Sequence, residues 1–256
     1  MITFSIATLN LRNRQDRWYE RRELIVAEIL TKQPDILALQ EISMPIGQGR
    51  WLRNQVNLRL TGKSGRPYRL IQRRKHHLIE GYKEGIGFLT KLPVVAQSAV
   101  GLGYRGRVAL RITIELPTGQ LIDVVCTHFH HGQDNIEARH EQAMQLIGWL
   151  TEDNNRVSYQ ILAGDFNDVP GSLAVQAMKQ AYRSAYEVKH GHEPLATFPT
   201  ALVPYSGLLG VCLDYLFISS AFQEVVQAEI FARHAAAGDN TLYPSDHVGL
   251  LATLKI

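Results

Sequence analysis

The chain has little cysteine, no long apolar run and no strong excess of either charge. Only two cysteines, Cys126 and Cys212, occur in 256 residues, and both sit in apolar strand-like runs, Val124-Val125-Cys126 and Val211-Cys212-Leu213. That usage points away from a disulfide scaffold and toward two buried, reduced thiols. No stretch approaches the roughly 20 apolar residues that span a bilayer. Residues Met1 to Leu9 alternate in polarity instead of starting basic and turning apolar. They read as a strand and not as a leader, so the expected location is cytoplasmic. The net charge of +3 and pI near 8.8 give a mild basic bias, compatible with a phosphate-bearing partner but too weak to demand one. Low-complexity tracts, linkers and short repeats are also missing. With 45% hydrophobic and 20% charged residues there is material for a large core. One domain over 1–256 is expected.

What is present is a strand-and-helix rhythm. Ile2 to Leu9 reads as a strand ending at Asn10, and Asp16 to Lys32 as a helix closed by Pro34. Ile36 to Leu39 is a short buried strand, and Gln48 to Leu60 a second helix. Tyr68 to Gln72, Gly85 to Thr90, Val94 to Val100, Arg107 to Leu116 and Leu121 to Thr127 form a strand-rich middle, with Pro117-Thr118-Gly119 as a turn. Helices at Ile136 to Leu150 and Ser172 to Tyr182 flank a strand from Ser158 to Ala163. The last strands run over Leu213 to Ser219, Ala228 to Ala232 and His247 to Leu254. The two halves share this rhythm, which suggests two stacked sheets with helices outside.

Polar groups recur where these strands stop. Asn10 ends the first, Glu41 the second, His128 the strand before the third helix, and Gly164-Asp165-Phe166-Asn167 the strand after it. Asp214 opens Leu213-Asp214-Tyr215, and Ser245-Asp246-His247 precedes the last strand. Each has an ordinary alternative. Asn10 and the Gly-Asp-x-Asn stretch are good turn formers, Glu41 suits a solvated loop, and a lone His247 is more often structural. Asp214 is harder to dismiss, because a carboxylate inside an apolar run needs a cation or donor. Open sheets work at such edges, so the group together suggests chemistry. Asp165 can accept a proton and Asn167 can donate a neutral hydrogen bond.

Thr8-Leu9-Asn10, Leu39-Gln40-Glu41, Thr127-His128, Gly164-Asp165-Phe166-Asn167, Leu213-Asp214-Tyr215 and Ser245-Asp246-His247 stand in the order and spacing of the endonuclease/exonuclease/phosphatase superfamily. The chain resembles its members from Asn10 to His247. The resemblance implies a DNase I-like α/β (α+β) fold, a four-layer sandwich of two packed mixed sheets flanked by helices. It also implies metal-assisted hydrolysis of a phosphoester by in-line water attack. Mg²⁺ is the expected ion, with Mn²⁺ as a substitute. Glu41 is its implied anchor, with Asn10 and Asp246 as direct or water-mediated ligands. Asp165 is implied as the base or water-orienting group and Asn167 as a donor to a phosphoryl oxygen. Asp214 is implied to hold His247, which serves either as imidazolium on the phosphate or as base. His128 falls where DNase-like and sphingomyelinase-like members place a second histidine. Tyr82-Lys83-Glu84-Gly85 resembles the segment that supplies its acidic partner, which implies Glu84, against the alternative of a solvated hairpin acid. His128 would then protonate the leaving oxygen, a contribution of roughly 10²–10⁴-fold. Arg107, in Arg105-Gly106-Arg107, is placed as a phosphate contact, against the alternative of a solvated edge charge.

Competing chemistries are weaker. His128-Phe129-His130-His131 invites zinc, but Asp134 is followed by Asn135 where a zinc hydrolase of the metallo-β-lactamase type has histidine. A degenerate, non-catalytic phosphate-binding module of the same fold would have lost some of Asn10, Glu41, Asp165, Asn167, Asp214, Asp246 and His247, and all are present. Ile42-Ser43 after Glu41, with histidine at 128, departs from the abasic-endonuclease pattern. The basic run Arg73-Arg74-Lys75-His76-His77 could touch a phosphate backbone, though charged runs usually face water and a solvated hairpin tip is the commoner reading. No aromatic-rich segment offers a single-strand stacking platform, and no long apolar hairpin advertises lipid binding. A phosphodiester of DNA or RNA is the first expected substrate, a small or lipid phosphodiester the second, and a phosphomonoester the third.

Overall fold

Two parallel strand pairs organise the molecule. In the computed structural model, which describes residues 2–60, 66–77, 83–132, 135–151, 157–203 and 210–256, β1 (Thr3–Asn10) and β2 (Ile36–Ser43) run in parallel with Asn10 opposite Gln40. Helix α1 (Trp18–Lys32) supplies the long crossover that a parallel pair requires. β7 (Leu121–His128) and β8 (Tyr159–Asp165) repeat the arrangement, with His128 opposite Asp165 and α3 (Ile136–Thr151) as crossover.

Antiparallel strands extend each pair. The first sheet adds β3 (Arg69–Arg74), β4 (Glu84–Thr90), β11 (Glu224–Phe231) and β12 (Gly249–Lys255), in the order β11-β12-β1-β2-β4-β3. The second adds β5 (Val94–Gly101), β6 (Val108–Glu115), β9 (Arg183–Ser184) and β10 (Asp214–Ile218), in the order β5-β6-β7-β8-β10-β9. β1 and β12 are antiparallel neighbours, and the backbones of Ile2 and Ile256 exchange hydrogen bonds of 3.3 and 3.1 Å. The remaining helices are α2 (Gln48–Leu60), α4 (Leu173–Ala181) and α5 (Ala185–His190).

Strand alternation sends successive side chains to opposite faces, and here both faces are covered. Ile6, Ile36, Ala38 and Phe88 of the first sheet meet Ile112, Val124, Ile161 and Leu216 of the second between the sheets. Ala7, Leu37 and Leu39 face outward onto Ile25 and Ile29 of α1 and Leu52 and Val56 of α2. Val125 and Leu162 do the same against Ala143, Leu146, Val175 and Met178 of α3 and α4. Four layers result, as the sequence led us to expect. β8 lies so close to β7 that a Cβ on Gly164 would collide with the Thr127 carbonyl oxygen.

Several boundaries differ from the sequence expectation. α1 starts at Trp18 because Asp16 and Arg17 adopt left-handed backbone (φ 45° and 61°). β11 begins at Glu224, before a bulge between Val225 and Gln227 that interrupts the alternation. β9 and α5 were not anticipated, being too short for either period to show. Arg21 of α1 is fully buried. Its guanidinium donates to the carbonyls of Leu11 (2.7 Å), Arg12, Asn13, Gln15 and Asp16, and to Pro244 at 3.1 Å. It therefore ties the loop after β1 to the loop before β12.

Candidate active site

β1, β2, β7 and β8 end on the same edge of the sandwich, and the antiparallel strands β4, β10 and β12 begin there. This topology, not proximity in sequence, gathers Asn10, Glu41, Glu84, His128, Asp165, Asp214 and the loop Ser245-Asp246-His247. Asp165 lies at the centre, almost fully buried. Its Oδ2 accepts from Asn10 Nδ2 at 3.0 Å and faces His128 Nε2 at 3.5 Å and His247 Nε2 at 3.8 Å. Its Oδ1 accepts from the Asn167 backbone N–H at 2.8 Å, an Asx turn. Asn167 takes the left-handed conformation (φ 51°) and donates its side-chain amide to the Phe129 carbonyl at 3.1 Å.

His247 Nδ1 donates to Asp214 Oδ2 at 2.8 Å, and Asp214 is held in turn by Thr197, whose Oγ1 accepts from the backbone of Leu213 and Asp214. Burial works against a charged His247, but Asp214 and Asp165 outweigh it and carry the ring up to about 10, so it is an imidazolium at neutral pH. Burial, seconded by the Asp214 charge, raises Asp165 to about 7. His128 goes the other way. Burial and the Arg107 charge press it well down despite Glu84, whose Oε1 lies 3.5 Å from His128 Nδ1.

Burial also favours a neutral Glu84, but His128, Lys75 and Arg107 overrule it and hold the carboxylate well below its ordinary range. Lys75 Nζ stands 2.6 Å and Arg107 Nη1 3.6 Å from Glu84 Oε1. Lys75 is thus buried at the site and not part of a solvated tip, although Arg73 and Arg74 beside it are exposed. The carboxylate of Glu84 draws it in, a pull that a string of five basic residues does not reveal. Arg107 is likewise buried, which removes the solvated-edge alternative. Tyr82, from the segment that suggested Glu84, lies outside the described residues, as does Asp134.

Glu41 sits in left-handed backbone (φ 53°) where the β2–β4 pairing shifts between Leu39 and Ile42, turning its carboxylate into the cleft. Burial, Glu84 and Asp246 all raise its pKa. A carboxylate destabilised by two neighbouring acids is a site that a hard divalent cation relieves. The donor set therefore fits such an ion. Asn10 presents its amide nitrogen to Glu41 (3.4 Å) and Asp165, while its oxygen accepts from the Arg12 N–H at 2.9 Å. Asp165, Asp214 and His247 also place one ligand atom each within 4.8 Å of one another, but His247 could join them in holding an ion only as a neutral ring. Among the described residues, the histidines at 128–131 form no such group.

Besides Lys75, two residues escaped the sequence reading. Arg12 lies 3.2 Å from Asp246 through Nη1, and its place two residues after Asn10 was the only signal. Phe198 packs its ring 4.8 Å from that of His247. With Pro199, Val169, Val211 and Leu213 it forms the apolar wall of a cleft of ≈ 390 Å³, whose polar side includes Arg12, Glu41, His128, Asp165, Asn167, Asp246 and His247.

Fold and edge cluster define a DNase I-like sandwich with a polar cleft at the strand ends. The chain belongs to the Endonuclease/Exonuclease/phosphatase family, whose sequence profile matches residues 7–247. Members of this family are generally phosphoester hydrolases. No sequence among curated proteins matches the chain. Among solved structures, an endonuclease/exonuclease/phosphatase from Bacteroides vulgatus is similar at TM-score 0.78 and 20% identity, covering 100% of both chains. The human Nocturnin catalytic domain with bound sulfate anion is similar at TM-score 0.73 and 21% identity, over 99% of this chain and 94% of that one. Truncated Caenorhabditis elegans TDP2 is similar at TM-score 0.74 and 14% identity, over 100% and 98%.

Proposed function

We propose that the protein is a Mg²⁺-dependent phosphodiesterase that cleaves nucleic acid by in-line attack of water. The observation that carries this reading is the position of Asp165, an acid raised to about 7 between two histidines and linked through the Asn10 amide to the carboxylate of Glu41. Glu41 and Asp246 would hold the ion, with Asn10 orienting Glu41. When bound, the ion supplies charge neutralisation at the phosphoryl oxygens.

The chain's own groups divide the remaining work. Asp165 accepts the proton of the attacking water, kept in orientation by Asn10 and the Asn167 backbone. His247, charged and braced by Asp214, binds a phosphoryl oxygen, and Asn167 turns its amide from Phe129 to a second. Arg12 and Arg107 add guanidinium contacts. His128 is neutral in the free cleft, and the arriving phosphate supplies the negative charge that lets it take a second proton. It then returns that proton to the leaving oxygen, with anionic Glu84 behind it.

A panel with Mg²⁺ tests the reading: plasmid, abasic duplex, single-stranded DNA, RNA, a 5′-phosphotyrosyl oligonucleotide, sphingomyelin and inositol phosphates. Cleavage of a nucleic-acid substrate is expected, reduced about 10²–10⁴-fold by Asp165→Asn. Intact nucleic acids beside a cleaved lipid or inositol phosphate would reject it.

A further inference from the structure

Arg139 of α3 pairs with Asp168, the residue after Asn167, and both are buried. Arg139 Nε donates to Asp168 Oδ2 at 2.9 Å, and Arg139 Nη1 donates to the Gly132 carbonyl. One guanidinium therefore grips the loop after β8 and the loop after β7 together. The first loop carries the Asn167 amide and the second its resting acceptor, the Phe129 carbonyl. A buried ion pair adds little stability over well-packed apolar side chains, yet here its bonds run to the two loops whose spacing sets the reach of that amide.

Asp168 is held on its other sides as well. Its Oδ1 accepts from the Val169 N–H at 3.1 Å, and its carbonyl accepts from the Tyr215 hydroxyl at 2.9 Å. Tyr215 follows Asp214 in β10, so the same node reaches the strand that braces His247. Three residues along α3, Gln142 adds a second grip on the loop after β7. Its Oε1 accepts from the His130 N–H at 2.9 Å while its Nε2 donates to the Leu102 carbonyl at 3.1 Å. Asn167 itself sits in left-handed backbone (φ 51°), which asparagine tolerates but does not require. Such a conformation persists where its surroundings over-determine it. Asp165 Oδ1 fixes the Asn167 N–H on one side, and the Arg139–Asp168 pair fixes the following residue on the other.

We propose that Arg139 and Asp168 are positioning residues for the phosphoryl-binding amide of Asn167. They hold the two loops in register, so that this amide has two acceptors in reach: the Phe129 carbonyl in the free cleft and a phosphoryl oxygen in the complex. A donor aimed before the reaction starts needs no reorganisation during it. This rests on the phosphodiesterase reading above.

The experiment is a double-mutant cycle between Arg139→Met and Asn167→Ala, on the fastest-cleaved nucleic acid of the panel above with Mg²⁺. Asn167→Ala should lower kcat about 10²–10³-fold. Arg139→Met should lower kcat about tenfold or more with KM nearly unchanged, but by less than about twofold once Asn167 is alanine. Asp168→Asn keeps the side chain's shape and one of its two bonds. It should show a smaller loss of the same kind, and it replaces Arg139→Met in the cycle if that variant does not fold. In a second measurement, on protein in EDTA, the side-chain amide NMR signals of Asn167 are identified by their loss in Asn167→Ala. They should form one set in wild type and be shifted or doubled in Arg139→Met. An unchanged kcat, or losses that multiply across the cycle, would overturn the positioning role while leaving the phosphodiesterase reading intact. Multiplying losses would mean that Arg139 acts on the substrate directly or on the fold at large. No hydrolysis by wild type would reject the phosphodiesterase reading, and the amide signals would then decide the pair alone: moved by Arg139→Met they uphold its hold on Asn167, and unmoved they overturn it.

Discussion

In the proposed mechanism the His247–Asp214 pair sets the charge state at which the cleft works. With the ring held at about 10 chiefly by Asp214 against the effect of burial, kcat/KM should fall on the alkaline side near that pH. Asp214→Asn should move this limb down by about 1–3 units. The acid limb should rise with Asp165 at about 7, and lie lower when Mg²⁺ is bound. The same shift affects stability. A histidine whose folded pKa exceeds its unfolded value contributes fully below about 6.5 and loses that contribution as pH climbs toward 10. The urea midpoint of wild type should therefore drop over that interval, and the Asp214→Asn profile should be flatter. Cys126 offers a second check. Burial pushes its thiol up to about 12, so it should resist a thiol reagent at pH 8 until the protein unfolds.

Among the elements, α1 acts on the site without touching it. Replacing Arg21 by Met would leave six backbone carbonyls, from Leu11 to Asp16 and at Pro244, short of a donor. A loss of about 3 kcal/mol or more is expected, read from the urea midpoint. Faster amide exchange should appear at both 11–17 and 244–247, because one side chain ties both. Arg21 was not legible in the sequence, where it is one of many charged residues on an amphipathic helix. Asn10, Glu41, Asp165, Asp214 and His247 were legible, because each interrupts or ends an apolar strand and a solitary polar group there stands out. Glu84 was legible only through its likeness to a known segment. Lys75 and Arg12 were not, since their roles come from Glu84 at the start of the next strand and from Asp246 near the far end of the chain, neither of which a charged run reveals. The helical and strand periods located α1, α2, α3 and α4 to within a few residues but failed at β9 and α5, where two strand residues and six helical ones show no period.

At the scale of the molecule, stacking two sheets face to face brings their strand ends to one edge and concentrates acids that repel one another there, and a cation should therefore stabilise the whole sandwich. Mg²⁺ at about 100 times its Kd should add about 2.7 kcal/mol. Glu41→Ala should abolish that increment, as measured by thermal denaturation with and without EDTA. A variant that keeps the full increment would place the ion elsewhere, with the carboxylates of Asp165 and Asp214 the next to test.

The pairing of β1 with β12 has a further consequence. Asn10 comes from the first strand and His247 from the segment just before the last, so the site is complete only when both ends of the chain have met. Such long-range closure is slow compared with local helix formation. During synthesis, a chain still missing its final residues should have no working site, however well its middle has folded. The same adjacency means that joining Ile2 to Ile256 through a short linker and reopening the chain at the turn Pro117-Thr118-Gly119 should yield an active circular permutant. Order of synthesis and order of assembly can then be separated in one fold.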